Sequence, residues 1–205
     1  MISLARAGVL LPVTLGAAAL LSGCLAPEEF NAKIELTGYS YSVELDGRLA
    51  DPRYVKALQD GQELPPHIDE KMKGQEAMAA TMPGMERFVY VGEGRFDLAM
   101  KLEGELSASS PAIGFPVTKS RSGNNFLTLE RKEDGSVVIS TPAVPKQVLA
   151  DLNSIGLPAT GTITVTVSAT VLEQNADEVS GQTYTWHRDS WEDRVHMTLE
   201  PGESK

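Results

Sequence analysis

The chain is predicted to form an α+β fold: a curved, mostly antiparallel sheet of about eight strands with three helices covering one face. Three observations carry this expectation. Apolar and polar residues alternate over many short stretches, the period-two signature of half-buried strands. Three other segments repeat apolar residues every three or four positions between helix start and stop signals. Glycine-containing turns join neighbouring strands, which favours antiparallel pairing.

The first strand is read from Phe30, Ala32, Ile34 and Leu36. After Gly38 the apolar set changes parity to Tyr39, Tyr41, Val43 and Leu45, which predicts a bulge or tight turn. Asp46-Gly47 reads as a further turn. Asp51-Pro52 reads as a cap and first position of a short helix carrying Tyr54, Val55 and Leu58, stopped by Gly61. A second helix follows Pro65-Pro66. Asp69 and Glu70 in its first turn suit the helix dipole, and Ile68, Met72, Ala79 and Met82 share a face.

Met85 to Val91 and Arg95 to Leu106 form a hairpin around Gly92-Glu93-Gly94. Ser107 to Asn125 breaks the pattern but holds Ile113, Phe115 and Val117, as a loop folded on the core or as a lid. Phe126 to Glu130 and Ser136 to Ser140 form another hairpin. The third helix begins near Pro145, buries Val148, Leu149, Leu152 and Ile155, and ends at Gly156. The last third is strand: Ile163 to Val171 alternating with Thr and Ser, a turn at Asn175-Ala176-Asp177, a return from Val179 to Trp186, and a final strand at Val195, Met197 and Leu199.

Composition bounds the function. The formal net charge is −10, which argues against nucleic acid and against attraction to anionic headgroups. A single cysteine excludes an intrachain disulfide and a cysteine-based metal site. No glycine-rich phosphate loop, nucleophile elbow or zinc-protease helix motif is present. His187, Asp189, Glu192, Asp193 and His196 could ligate a cation by residue type, but their spacing matches no ligand pattern and reads as a charged turn. No metal, cofactor or catalytic residue is expected. Met72, Met78, Met82, Met85 and Met100 crowd one region. Methionine fills soft core space and also lines adaptable apolar sites, so these five, with Ile113 and Phe115, are candidate contacts for an acyl chain.

Residues 1–23 carry the address. Arg6 is a minimal positive flank, and Ala7 to Leu21 is apolar but short for a membrane-spanning helix of about 20 residues. Leu21-Ser22-Gly23-Cys24 matches, at all four positions, the lipobox of bacterial lipoproteins, which it resembles. That resemblance implies cleavage before Cys24, a diacylglycerol on its sulfur and an acyl chain on its new amine. Two or more chains hold a protein stably where one is marginal. The expected division is a signal peptide at 1–23, a lipidated tether at 24–29 and one α+β domain at 30–205. Leu25 after the cysteine is compatible with an outer membrane facing the periplasm, if the organism has two membranes.

The stretch Val171 to Trp186, VLEQNADEVSGQTYTW, resembles the close of LppM-type bacterial lipoproteins: a valine-ended strand, an Asn-x-Asp turn and a strand returning to tryptophan. That resemblance implies a non-enzymatic envelope protein that binds lipid. The expectation for the whole chain is a membrane-anchored envelope lipoprotein binding an apolar ligand or an envelope protein. A structural adaptor and a metal-dependent hydrolase at His187 to His196 are the alternatives.

Overall fold

A computed structural model describes residues 25–115 and 126–201. They form an α+β fold, with three helices and twelve strands in two mostly antiparallel sheets. The strands are β1 (Ala26–Thr37), β2 (Ser40–Ala50), β3 (Met85–Gly92), β4 (Arg95–Glu105), β5 (Ala112–Phe115), β6 (Leu127–Arg131), β7 (Val137–Ser140), β8 (Thr160–Val167), β9 (Val171–Gln174), β10 (Glu178–Ser180), β11 (Thr183–Arg188) and β12 (His196–Leu199). The helices are α1 (Pro52–Gln59), α2 (His67–Ala79) and α3 (Lys146–Ser154). Among the described residues, no helix is long and apolar enough to cross a membrane.

Seven strands form one sheet in the order β10-β11-β8-β1-β2-β4-β3, and five form another in the order β5-β6-β7-β12-β9. Among the described residues, only the central pair β1–β8 is parallel. The inward residues of both sheets meet in one core, with Ile34, Val43 and Leu98 from the first and Leu127, Ile139 and Met197 from the second. Sequence alternation predicts which face of a strand is buried, but not what covers it. Here the second sheet covers the first, as in a sandwich, where about eight strands under a helical layer were expected.

The helices pack on two smaller apolar clusters beside this core. Val55 of α1 and Leu152 of α3 join Ala26, Ala50, Ile155 and Leu157 in a second apolar cluster. Ile68 and Met72 of α2 pack with Phe96 in a third. The expected cap of α1 is present: the Asp51 carboxylate accepts from the Arg53 backbone N–H at 3.0 Å, with Pro52 at the first helical position.

Three expected boundaries move, each for a local reason. Asp46-Gly47 is not a turn, and β2 runs on to Ala50. Phe30 is flanked in the sheet by Gly47 on β2 and Gly161 on β8. A Cβ at Gly47 would lie 2.2 Å from the Glu29 carbonyl oxygen, and one at Gly161 2.0 Å from that of Phe30. Both glycines therefore serve close backbone approach. The continuous Ile163 to Val171 pattern splits: β8 ends at Val167, the Ser168 N–H donates to the Leu36 carbonyl at 3.1 Å, and β9 joins the other sheet. The return from Val179 to Trp186 is likewise two strands, β10 and β11, turning tightly at Gly181.

Candidate functional site

Cys24 and residues 1–23 lie outside the described residues, as does Val117; the description of the chain begins at Leu25. Residues 26–29, expected to be tether, already pair as strand: Ala26 faces Ala50, and Pro27 faces Leu49. Ala26 is buried in the second cluster. Leu25 is half-buried and packs against both the main core and the third cluster. Ala26 packs with Val55 of α1 in the second cluster, which explains why the strand begins earlier than the alternation from Phe30 suggests. Around this end Arg95 Nε meets Glu28 at 3.0 Å, and Arg95 Nη1 meets Glu93 at 3.3 Å. The Asp51 N–H donates to the Gly94 carbonyl at 2.8 Å, tying α1 to the β3–β4 turn. A Cβ at Gly94 would sit 2.7 Å from that of Tyr54, so glycine is needed there.

The five methionines do not converge. Met72 is fully buried against Ile68 and Phe96, a ring that also stacks on Phe88 at 4.6 Å. Met100 is buried in the main core and faces half-buried Met85 across β3–β4. Met82 is half-buried, and Met78 is 65% exposed. Ile113 and Phe115 lie on β5, within the stretch read as a loop. Phe115 is wholly buried in the main core and Ile113 packs against it. The groove of about 410 Å³ beside Met100 is charged, with Lys33, Glu44, Asp46, Glu86 and Lys101 along it. In it Lys101 Nζ donates to Glu44 at 2.8 Å, a hydrogen bond that holds the Glu44 carboxyl below its ordinary pKa and raises that of Lys101.

The acidic and histidine residues near the C terminus resolve into separate contacts. One oxygen of Asp193 accepts from the N–H groups of Asp189 and Ser190 at 2.9 and 2.8 Å, closing the turn after β11. His187 lies 3.2 Å from Glu178, while His196, on the other sheet, lies 3.6 Å from Glu173. Glu192 is exposed. His67 is exposed at the start of α2. Among the described residues, no three His, Cys, Asp or Glu side chains are grouped to hold a metal ion.

Two residues organise this region: Asn175, expected only as part of a turn, and Arg188, which the alternation alone does not mark. Asn175 accepts from the Trp186 indole at 2.9 Å and from the His196 N–H at 2.8 Å, and donates to the Arg194 carbonyl at 2.6 Å. Arg188 is buried. Its Nη2 donates to the Ser190 carbonyl at 3.1 Å, its Nε has no hydrogen-bond partner, and its guanidinium lies 6.0 Å from the Phe30 ring centre. Burial pushes the Arg188 pKa down, with the Asp193 charge opposing. The signal for Arg188 was its spacing: it is two residues beyond buried Trp186, on the same face of the strand. A polar cleft of about 240 Å³ opens here, bordered by Asp177, His187, Arg188, Asp193 and Arg194.

No protein-family profile matches the chain, and no curated protein matches it. Among solved structures, the folded domain of LppM from Mycobacterium tuberculosis is a neighbour. It aligns at 13% identity and a TM-score of 0.42, over 88% of this chain and 93% of that one. Native yeast LTA4 hydrolase aligns at 8% identity and a TM-score of 0.34, over 85% of this chain and 29% of that one. Likenesses this distant assign no residue in the present chain.

Proposed function

We propose that the chain is a lipoprotein of the bacterial cell envelope, held to a membrane by a diacylglycerol and an N-acyl chain on Cys24. Its domain acts without catalysis, as a docking unit for an envelope protein. The observation that carries this is continuity: Leu21-Ser22-Gly23-Cys24 runs directly into Leu25 and Ala26, which are already part of the folded body. In an organism with two membranes, the outer membrane facing the periplasm is the proposed destination, because Leu25 rather than aspartate follows the cysteine.

A docking role fits the described surface better than an acyl-chain site does. Met72, Met100 and Phe115 are committed to filled core, and the groove beside Met100 is lined with charges, which an acyl chain would have to desolvate. The outer face of β1, β2 and β4 instead presents Lys33, Glu44, Arg48, Asp97 and Lys101, a mixed-charge surface suited to a protein partner. Native mass spectrometry of the full-length processed protein, extracted from its own membrane in mild detergent, tests the choice. The expected species carries covalent acyl mass and no further lipid. A stoichiometric, non-covalently bound acyl lipid would overturn docking in favour of lipid binding.

A further inference from the structure

We infer that the domain rests on the bilayer by one defined end, formed by α1 and the Gly92-Glu93-Gly94 turn, so that the anchor fixes its orientation as well as its location. This rests on the lipidation of Cys24 proposed above. One peptide unit, about 3.8 Å between Cα atoms, separates Cys24 from Leu25. Leu25 is itself packed against two apolar clusters, and Ala26 is buried and paired to Ala50. No slack chain therefore lies between the acyl groups and the fold.

Sheet register places the neighbours of that point. Ala26 pairs with Ala50, Ala50 with Arg95, and Arg95 with Gly92, so the β3–β4 turn stands at the same end as the anchor. α1 begins there too, tied through Asp51 to Gly94. Beside the turn the apolar side chain of Val91 is 47% exposed on the edge strand. The opposite end of β1, at Thr37 and Ser40, lies eleven residue steps away, roughly 35 Å at a strand's usual rise. Glu28 and Glu93 at the anchor end are both engaged by Arg95, and the chain is acidic overall. The tether, not charge, thus brings this end to the membrane.

The chain has a single cysteine, and lipidation consumes its thiol, so an introduced cysteine gives one labelling site. Full-length protein carrying Val91→Cys, Lys56→Cys or Ser40→Cys would be spin-labelled and reconstituted into phosphatidylcholine vesicles. Its exposure to a water-soluble nickel relaxant would then be compared with exposure to oxygen, after circular dichroism confirms folding. Labels at 91 and 56 should show several-fold lower nickel accessibility on vesicles than in detergent-free solution of an unlipidated form that lacks residues 1–23 and carries Cys24→Ser. The label at 40 should not change. Protein that floats with the vesicles but shows labels at 91 and 56 as open to nickel as the label at 40 overturns the orientation while leaving anchoring intact. Protein that does not float overturns the lipidation on which the orientation depends.

Discussion

The indole N–H of Trp186 donates to the Asn175 side-chain oxygen at 2.9 Å, joining β11 of one sheet to the turn that leaves β9 of the other. Trp186 is buried, and the same oxygen accepts from His196. Asn175→Ala strands a buried indole donor and releases the Arg194 carbonyl. An unpaired buried donor costs about 1–3 kcal/mol. Urea denaturation should show a loss of about 2 kcal/mol, with a shifted tryptophan emission; a change below about 0.5 kcal/mol, the usual surface value, would show that the bond is incidental.

Gly161 and Gly74 should respond in opposite directions. A Cβ at Gly161 would meet the Phe30 carbonyl at 2.0 Å, whereas one at Gly74 in α2 meets nothing within 4 Å. Gly161→Ala should cost several kcal/mol or prevent folding. Gly74→Ala should stabilise by up to about 1 kcal/mol, since alanine is the better helix former. Thermal melts of the two variants check the pair; a harmless Gly161→Ala would refute the close β1–β8 approach.

Arg188 is a buried cation with no carboxylate in contact and an unpaired Nε. Replacing a buried ion pair by apolar side chains is often neutral or stabilising by about 1–4 kcal/mol, and a lone buried cation has less Coulombic attraction to lose. Arg188→Met should therefore leave the denaturation midpoint unchanged or raise it. A loss of more than about 2 kcal/mol, large against the usual effect of a point substitution, would show that the charge itself is used.

Metal removal should have no effect. Asp193 is spent on backbone N–H groups, and His187 and His196 stand on different sheets with their own glutamates. A chelator should leave the melting temperature where it was. A ligand present at 100 times its dissociation constant adds about 2.7 kcal/mol, so a drop of several degrees reversed by one metal would reveal a site.

Much of the architecture was legible in the residues. Alternation located β1, β2, the β3–β4 hairpin and β8, and Asp51-Pro52 marked the start of α1. What escaped follows from what alternation leaves unsaid. It does not distinguish a strand that stays in its sheet from one that crosses to another, hence the split after Val167. Asp46-Gly47 has turn chemistry, but the glycine is needed where β1 presses against β2 at Phe30. Five methionines close in sequence went to separate environments, because successive strand residues and the faces of α2 point in different directions. Ala26 to Glu29 looked polar enough for a tether, yet Ala26 and Pro27 are covered on folding.

Intact mass analysis of the membrane-extracted protein and its Cys24→Ser variant bears on the anchor itself. Wild-type protein should lack residues 1–23, carry diacylglycerol and N-acyl mass on Cys24, and partition into detergent. The variant should retain the leader and carry no lipid. Equal mature masses and equal detergent partitioning for the two proteins would contradict the lipoprotein assignment.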